Sequence, residues 1–167
     1  KSMGLPVNKL ICASNKNNVL TDFINTGVYD RNRKFETTIS PSMDILISSN
    51  LERLLYIVCG AEKCAAYMKD LNTKGEYTIT SEELAEIREL IDAGYADDKA
   101  SYETIKSVYE KDAYLMDTHT AVAWNVYEKW LAESKNEDTC VVLSTASAYK
   151  FASSVMNALD KDFDGEF

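Results

Sequence analysis

The sequence predicts a helix-rich α/β domain with a few parallel strands. Two short apolar runs, Leu10–Ser14 and residues 140–143, are each followed by a cluster of polar residues, as expected of strands buried in a sheet. Between them lie roughly seven segments whose apolar residues recur at helical spacing. Strands that alternate with helices favour parallel pairing through βαβ connections. Because two strands alone make a marginal sheet, we expect their partners to lie outside this chain.

The local signals place the remaining elements in order. Gly27 and Gly60 are read as helix stops, Ser40-Pro41 as a helix start, and Thr80 with Glu83 as a capping box. The residues after 159 are read as an acidic, frayed tail. The predicted elements are a strand at 10–14, a helix at 18–24, a strand at 35–39, helices from 41 to 60 and at 61–71, an extended stretch at 77–79, helices from 81 to 94, at 102–109 and at 118–131, a strand at 140–143 and a helix at 149–159.

Composition narrows the class of protein. The chain has 167 residues, 46% of them hydrophobic and 27% charged, which suits one domain or a large part of one. The net charge of −9 argues against nucleic acid or an anionic membrane as the main partner. No apolar run approaches the roughly 20 residues needed to span a bilayer, and we expect a cytoplasmic protein. The four cysteines match no zinc spacing, so we expect no metal and reduced, structural thiols.

Two polar clusters are the candidate sites, because ligands of open α/β sheets bind beyond the carboxyl ends of the strands. Asn15, Lys16 and Asn17 follow the first predicted strand, and Ser144 and Thr145 follow the last. Lys16 is the one cation among them and could meet an anion. Any one of these residues could equally serve as a helix cap or turn.

The single histidine, His119, is the other candidate. It falls at the start of a predicted helix, where it could line the pocket or be a first-turn residue. The chain has no nucleophile elbow, no Walker loop and no dinucleotide-binding glycine motif, so these enzyme classes are not indicated.

Several motifs together resemble the threonine synthase family, in its bacterial and fungal branch. They occur in the family's order and cover nearly the whole chain. The matching segments are residues 10–20 (LICASNKNNVL), 26–30 (TGVYD), 40–45 (SPSMDI), 48–53 (SSNLER), 117–123 (DTHTAVA) and 143–151 (LSTASAYKF).

The resemblance implies a fold type II pyridoxal 5′-phosphate (PLP) enzyme, of whose three-layer large domain this chain would be part. Such enzymes convert O-phosphohomoserine and water to threonine and phosphate. In the family's Ser-Thr-Ala-Ser motif the threonine hydrogen-bonds the cofactor's pyridine nitrogen, and the matching residue is Thr145. The family usually has Pro where this chain has Ala148, a change that removes no functional group.

The resemblance also implies which elements this chain lacks. The family's Schiff-base lysine and its Gly-Asn-Phe-Gly phosphate loop belong to the amino-terminal part, and Lys16 and Lys150 are poor substitutes for that lysine. We therefore expect residues 1–167 to be a carboxy-terminal part of the catalytic domain, with a helical insertion around residues 60–98 and no catalytic lysine. The expected partners are the substrate and the missing amino-terminal part. A non-catalytic binding or scaffold domain is the alternative.

Overall fold

A computed structural model describes residues 4–160, and it is α/β and helix-rich. The tail predicted after residue 159 lies, from residue 161 onward, outside the described residues. The elements are β1 (Leu10–Ser14), α1 (Val19–Thr26), β2 (Val28–Asp30), α2 (Ser49–Lys74), β3 (Glu76–Thr78), α3 (Ser81–Leu90), β4 (Ile91–Tyr95), α4 (Asp98–Asp112), α5 (Thr118–Ser134) and α6 (Ala152–Leu159), with short 3₁₀ turns at Pro41–Met43 and Ala148–Phe151.

The chain divides into two compact units. Within the described part, the first unit comprises residues 4–12, 17–35 and 45–93, and the second comprises 13–16, 36–44 and 94–160. None of the helices between residues 4 and 160 combines the length and the apolar character that a membrane crossing requires.

The strands form two small sheets. Strand β1 pairs with β4, and β2 pairs with β3 in antiparallel register, with Tyr29 opposite Tyr77. The Ala96 N–H, just past the end of β4, donates to the Ser14 carbonyl at the end of β1 over 3.0 Å. Both strands therefore end at the same edge, which is the arrangement of parallel strands.

Helix α2 contains a sharp break at Gly60. This residue has φ +78° and ψ 175°, a backbone conformation that only glycine adopts without strain, so Ser49–Lys74 is two helical segments joined at that point. The predicted stop at Gly60 is confirmed as this break. Across it, the Cys64 thiol donates to the Glu52 carbonyl over 3.5 Å.

Helix α3 begins with the predicted capping box. The Thr80 hydroxyl accepts from the Glu83 N–H, and the Glu83 carboxylate accepts from the Thr80 N–H over 2.9 Å. The same carboxylate accepts from Lys63 Nζ at 2.8 Å and from the Tyr67 hydroxyl at 2.7 Å. Glu83 is therefore a buried ionic link between α2 and α3.

Aromatic rings fill the centre of the first unit. Tyr29 and Tyr77 stack with ring centroids 5.2 Å apart, and Phe23 meets both edge-on at 5.8 Å. The Tyr29 hydroxyl accepts from the Ser48 N–H and donates to the Leu46 carbonyl. The ring cluster thus also fixes residues 46–48, which lead into α2.

The core of the second unit lies between α4, α5 and α6. Its buried members include Ile105, Ala121 and Val155, one from each of these helices, and Met116 from the segment between α4 and α5. Gly94 in β4 belongs to this unit, and a Cβ at that position would lie 2.9 Å from the Val126 side chain. A glycine is needed there because β4 approaches α5 closely.

The structure contradicts four sequence-based expectations. Residues 35–39 and 140–143 are not strands, and Ser40-Pro41 begins only a 3₁₀ turn, with α2 starting at Ser49. Strand β4 follows α3 at Leu90, where a helix had been expected to continue to Gly94. The loop at 35–39 is held by side chains, as described below, and residues 140–143 pair with no strand among the described residues.

Candidate functional site

Asn15 is the centre of a buried polar cluster at the end of β1. Its side chain is almost wholly buried, and its amide nitrogen lies 2.7 Å from Asp44 Oδ1, 2.8 Å from Thr38 Oγ1 and 3.0 Å from Ser40 Oγ. An amide has two hydrogens, which these acceptors share. Asn15 therefore fixes residues 36–44, the segment predicted to contain a strand.

Asp44 completes the same cluster. Its Oδ2 accepts from the Thr38 N–H at 3.0 Å, and its Oδ1 accepts from the Thr38 hydroxyl at 2.7 Å. The backbone of residues 36–44 thus finds its partners in side chains rather than in a sheet ladder. Ser40, read from the sequence as a helix cap, is fully buried within this cluster.

The two neighbours of Asn15 lie in different surroundings. Lys16 has a side chain that is 56% exposed, and its ammonium lies 3.7 Å from Glu36 Oε2, a loose ion pair open to water. Asn17 is buried and belongs to the first unit. The structure therefore leaves Lys16 as an accessible cation beside the Asn15 cluster.

Asp117 caps helix α5 from a fully buried position. Its carboxylate accepts four hydrogen bonds, from the backbone N–H groups of His119 and Thr120, from His119 Nδ1 and from the Thr120 hydroxyl. Within residues 4–160 no lysine or arginine pairs with it. The helix N-terminus and these donors supply the positive potential that a buried carboxylate needs.

His119 is locked at both ring nitrogens. Nδ1 lies 2.9 Å from Asp117 Oδ1, and Nε2 accepts the Ser42 N–H over 3.2 Å. Because Nε2 receives a hydrogen, the ring is the Nδ1–H tautomer. The ring also packs on Phe151, with centroids 4.6 Å apart. His119 therefore joins the Asn15-bound loop to the start of α5.

Ser144 and Thr145 lie at the surface of the second unit. Ser144 Oγ is 3.2 Å from Thr120 Oγ1. The Thr145 side chain is exposed, and its hydroxyl has no hydrogen-bond partner within residues 4–160. It is thus a neutral donor and acceptor open to a ligand.

A cavity of about 570 Å³ opens beside Ser144. Thr145 is not among its walls. Cys140 is, and desolvation raises the pKa of its thiol, which is therefore protonated at neutral pH and a weak nucleophile. The cavity is lined by Val108, Asp112, Tyr114, Thr120, Trp124, Tyr127, Cys140, Val142 and Ser144.

The second unit contains five of the six residues singled out from the sequence: Asn15, Lys16, His119, Ser144 and Thr145. Sequence reasoning missed the groups that hold them, above all Asp44, Asp117 and Thr120. The signal for Asp117 was present, because Asp before a run that begins Thr-His-Thr is a typical helix cap. Nothing local indicated that its second oxygen would reach the hydroxyl beside Ser144.

Comparisons with known proteins agree on one family. Residues 120–166 match the family described as threonine synthase, C-terminal. The chain is 42% identical over 166 residues to human threonine synthase-like 1, covering 95% of this chain and 21% of that protein. It is 35% identical to threonine synthase from Saccharomyces cerevisiae, covering 95% of this chain and 34% of that one.

Solved structures give the same result. PLP-bound threonine synthase from Brucella melitensis superposes with a TM-score of 0.84 at 39% identity, over 93% of this chain and 33% of that one. Yeast threonine synthase superposes with a TM-score of 0.91 at 33% identity, over 99% and 36%. The predicted fold class is therefore confirmed, and the chain spans about a third or less of its relatives' length.

Proposed function

We propose that the second unit forms one wall of a PLP and substrate pocket, because the chain is similar along most of its length to part of threonine synthases. The observation that carries this proposal is Thr145, whose exposed hydroxyl has no partner within residues 4–160. A neutral hydroxyl fits the pyridine nitrogen of PLP, because it can hydrogen-bond that atom without holding it protonated as a carboxylate would.

The reaction proposed for the whole protein is conversion of O-phosphohomoserine and water to threonine and phosphate. The cofactor would supply an electron sink for the substrate's carbanion chemistry. The residues of this chain would bind and orient. Thr145 would hydrogen-bond the cofactor, Ser144 would border the pocket, and Lys16 would offer its accessible ammonium to an anionic group.

The remaining candidates would act by shaping the pocket. Asn15 is too deeply buried to approach a ligand without moving, so its role would be to hold residues 36–44. His119 would hold Ser42, because neither ring nitrogen is free to exchange a proton in this arrangement. We assign Asn17 to the pocket border because it follows strand β1 in sequence, directly after Asn15 and Lys16.

We further propose that residues 1–167 do not catalyse the reaction by themselves. A cofactor lysine and a phosphate loop would come from the amino-terminal part of the family's polypeptide, which is the proposed partner. Residues 60–98 would be a helical insertion within the catalytic domain, and the protein would act in the cytoplasm.

Two experiments test this function. The open reading frame upstream of Lys1 should encode a Gly-Asn-Phe-Gly loop and a cofactor lysine. The 167-residue chain should acquire no specific covalent PLP when mixed with the cofactor, reduced with borohydride and mapped by mass spectrometry. Stoichiometric labelling of one lysine, abolished by its replacement with arginine, would contradict the assignment of the lysine to another part of the protein.

A matched pair of variants tests Thr145. In the protein encoded by the full reading frame, Thr145→Val should weaken PLP binding and shift its visible absorbance, whereas Thr145→Ser keeps the hydroxyl and should restore both. Equal behaviour of the two variants would remove Thr145 from the cofactor site.

One observation favours a second candidate, a non-catalytic binding or scaffold protein. The chain is 42% identical to the human relative and 35% identical to the yeast one. The human relative is named threonine synthase-like 1, a name that states similarity to the synthase, whereas the yeast relative is named threonine synthase. Phosphate release from O-phosphohomoserine by the full-reading-frame protein decides between the two functions. Turnover supports the synthase. PLP binding without turnover supports the alternative.

A further inference from the structure

A single buried carboxylate, that of Asp117, links two segments of the second unit that are far apart in sequence. Its Oδ1 accepts from His119 Nδ1, and His119 Nε2 accepts from the Ser42 N–H. Its Oδ2 accepts from the Thr120 hydroxyl, which lies 3.2 Å from Ser144 Oγ. One arm therefore reaches residues 36–44, and the other reaches Ser144.

The direction of each hydrogen bond follows from the number of hydrogens. The Thr120 hydroxyl has one hydrogen, and the charged carboxylate is its strongest acceptor. Its second acceptor is Ser144 Oγ, 3.2 Å away. On the other arm, the imidazole hydrogen is on Nδ1, so Nε2 can only accept. The charge on Asp117 thus orients both the Thr120 hydroxyl and the His119 ring.

We propose that Asp117 and Thr120 are positioning residues. They set the place of the Ser144–Thr145 segment and couple it to residues 36–44, the loop that Asn15 holds. This assignment rests on the proposed function in one respect only: the proposed function supplies the ligand that Thr145 would bind. The coupling itself is a property of the unliganded chain. A change at the carboxylate alters the Ser144 hydroxyl through Thr120 and the Ser42 N–H through His119.

The burial of this network explains why it can position an exposed segment. Asp117 is fully buried and Thr120 is nearly so, whereas Ser144 and Thr145 are exposed. Hydrogen bonds away from water are stronger and better defined in geometry than those at the surface. The Thr120 hydroxyl is therefore an internal anchor for a segment that no sheet among the described residues holds.

The test is NMR of the ¹⁵N-labelled 167-residue chain with paired variants. Thr120→Val should shift the amide resonances of Ser144 and Thr145 and leave the His119 tautomer signals in place. Thr120→Ser, which keeps the hydroxyl, should restore them. Thr104→Val is the control, because Thr104 is a buried threonine of helix α4 that also loses a hydroxyl but lies outside the network.

Asp117→Asn provides a second variant that keeps the helix cap. Its amide oxygen would face His119 and the backbone donors, and its NH₂ would donate to Thr120 Oγ1, whose hydrogen then turns to Ser144. The Ser144 resonance should shift while the imidazole hydrogen stays on Nδ1. Unmoved Ser144 and Thr145 resonances in both Thr120→Val and Asp117→Asn, or equal shifts in Thr104→Val, would overturn the proposal.

Cofactor binding separates this inference from the proposed function. In the full-reading-frame protein, Thr120→Val should lower PLP affinity with Thr145 intact. If the NMR shifts occur and PLP affinity is unchanged, the coupling stands and the contact between Thr145 and the cofactor is refuted.

Discussion

Replacement of Glu83 by glutamine should destabilise the chain in a strongly pH-dependent way. Burial opposes ionisation of this carboxyl, but hydrogen bonds from Lys63, the Thr80 N–H and Tyr67, together with the Lys63 charge, lower its pKa to about 2. Its side chain is 8% exposed. The glutamine side chain would retain the shape but place an NH₂ against donors that now meet a carboxylate oxygen.

The magnitude follows from that pKa. The difference from the ordinary value of 4.5 corresponds to about 3 kcal/mol of native-state stability at neutral pH. The Lys63 side chain is 58% exposed, so water screens part of the attraction, and we expect a loss of about 2 kcal/mol. Because the folded-state pKa is lowered, the contribution is complete above about pH 5 and disappears as the pH falls from 4.5 towards 2.

Urea unfolding followed by circular dichroism at pH 7, 5, 4 and 3 measures this difference. The gap between the native chain and Glu83→Gln should be widest at pH 7 and should narrow steadily below pH 4.5. Glu82→Gln is the matched control, since it makes the same charge change in the same helical turn at an exposed position. A gap that is independent of pH, or one equal to that of Glu82→Gln, would refute the role of Glu83 as a buried ionic link.

Three further predictions follow from the described contacts. Tyr29→Phe should cost about 1–2 kcal/mol, measured as a lower urea midpoint, because Ser48 N–H and the Leu46 carbonyl lose their partner. Gly75→Ala should cost about 1–2 kcal/mol, measured the same way, because the residue has φ +81° and an added Cβ would displace the Asn32 side chain, which donates to the Lys74 carbonyl. Asn15→Asp should destabilise the chain at pH 7 and less at pH 4, because the new carboxylate faces Asp44, whose Oδ1 lies 2.7 Å from the Asn15 amide nitrogen; pH-independent unfolding of that variant would contradict the arrangement.

The helices were the most predictable part of the fold, because their signals are local. The Thr80 capping box and the stop at Gly27 each lie within a few residues of the helix end they mark, and the structure confirms them. Strand β1 was also predicted within its bounds, since an apolar run between polar residues is a strong signal.

Prediction failed for strands and hydrogen-bond networks whose deciding partner is distant in sequence. The β-branched residues at 37–39 fit a strand, but Asn15 and Asp44 provide other hydrogen-bond partners for the backbone and hydroxyl of Thr38. Strand β4 was missed because Gly94 looks like a helix stop. Glycine is needed at position 94 because the strand packs closely against Val126, which lies 32 residues later in the chain. The sequence singles out Asn15, Ser144 and His119, but the hydrogen bonds that hold them could not be predicted from it.

Strand pairing at the exposed aliphatic segment of residues 140–143 would tie the stability of this chain to its concentration. Val141 and Leu143 are 78% and 74% exposed, beside backbone that joins no sheet among the described residues. Pairing with another polypeptide strand would bury both side chains, and by mass action any such association adds to the free energy of the folded state. The unfolding midpoint should then rise with protein concentration, and a lysine at either position should abolish that dependence. Folding and assembly would be a single equilibrium for this chain.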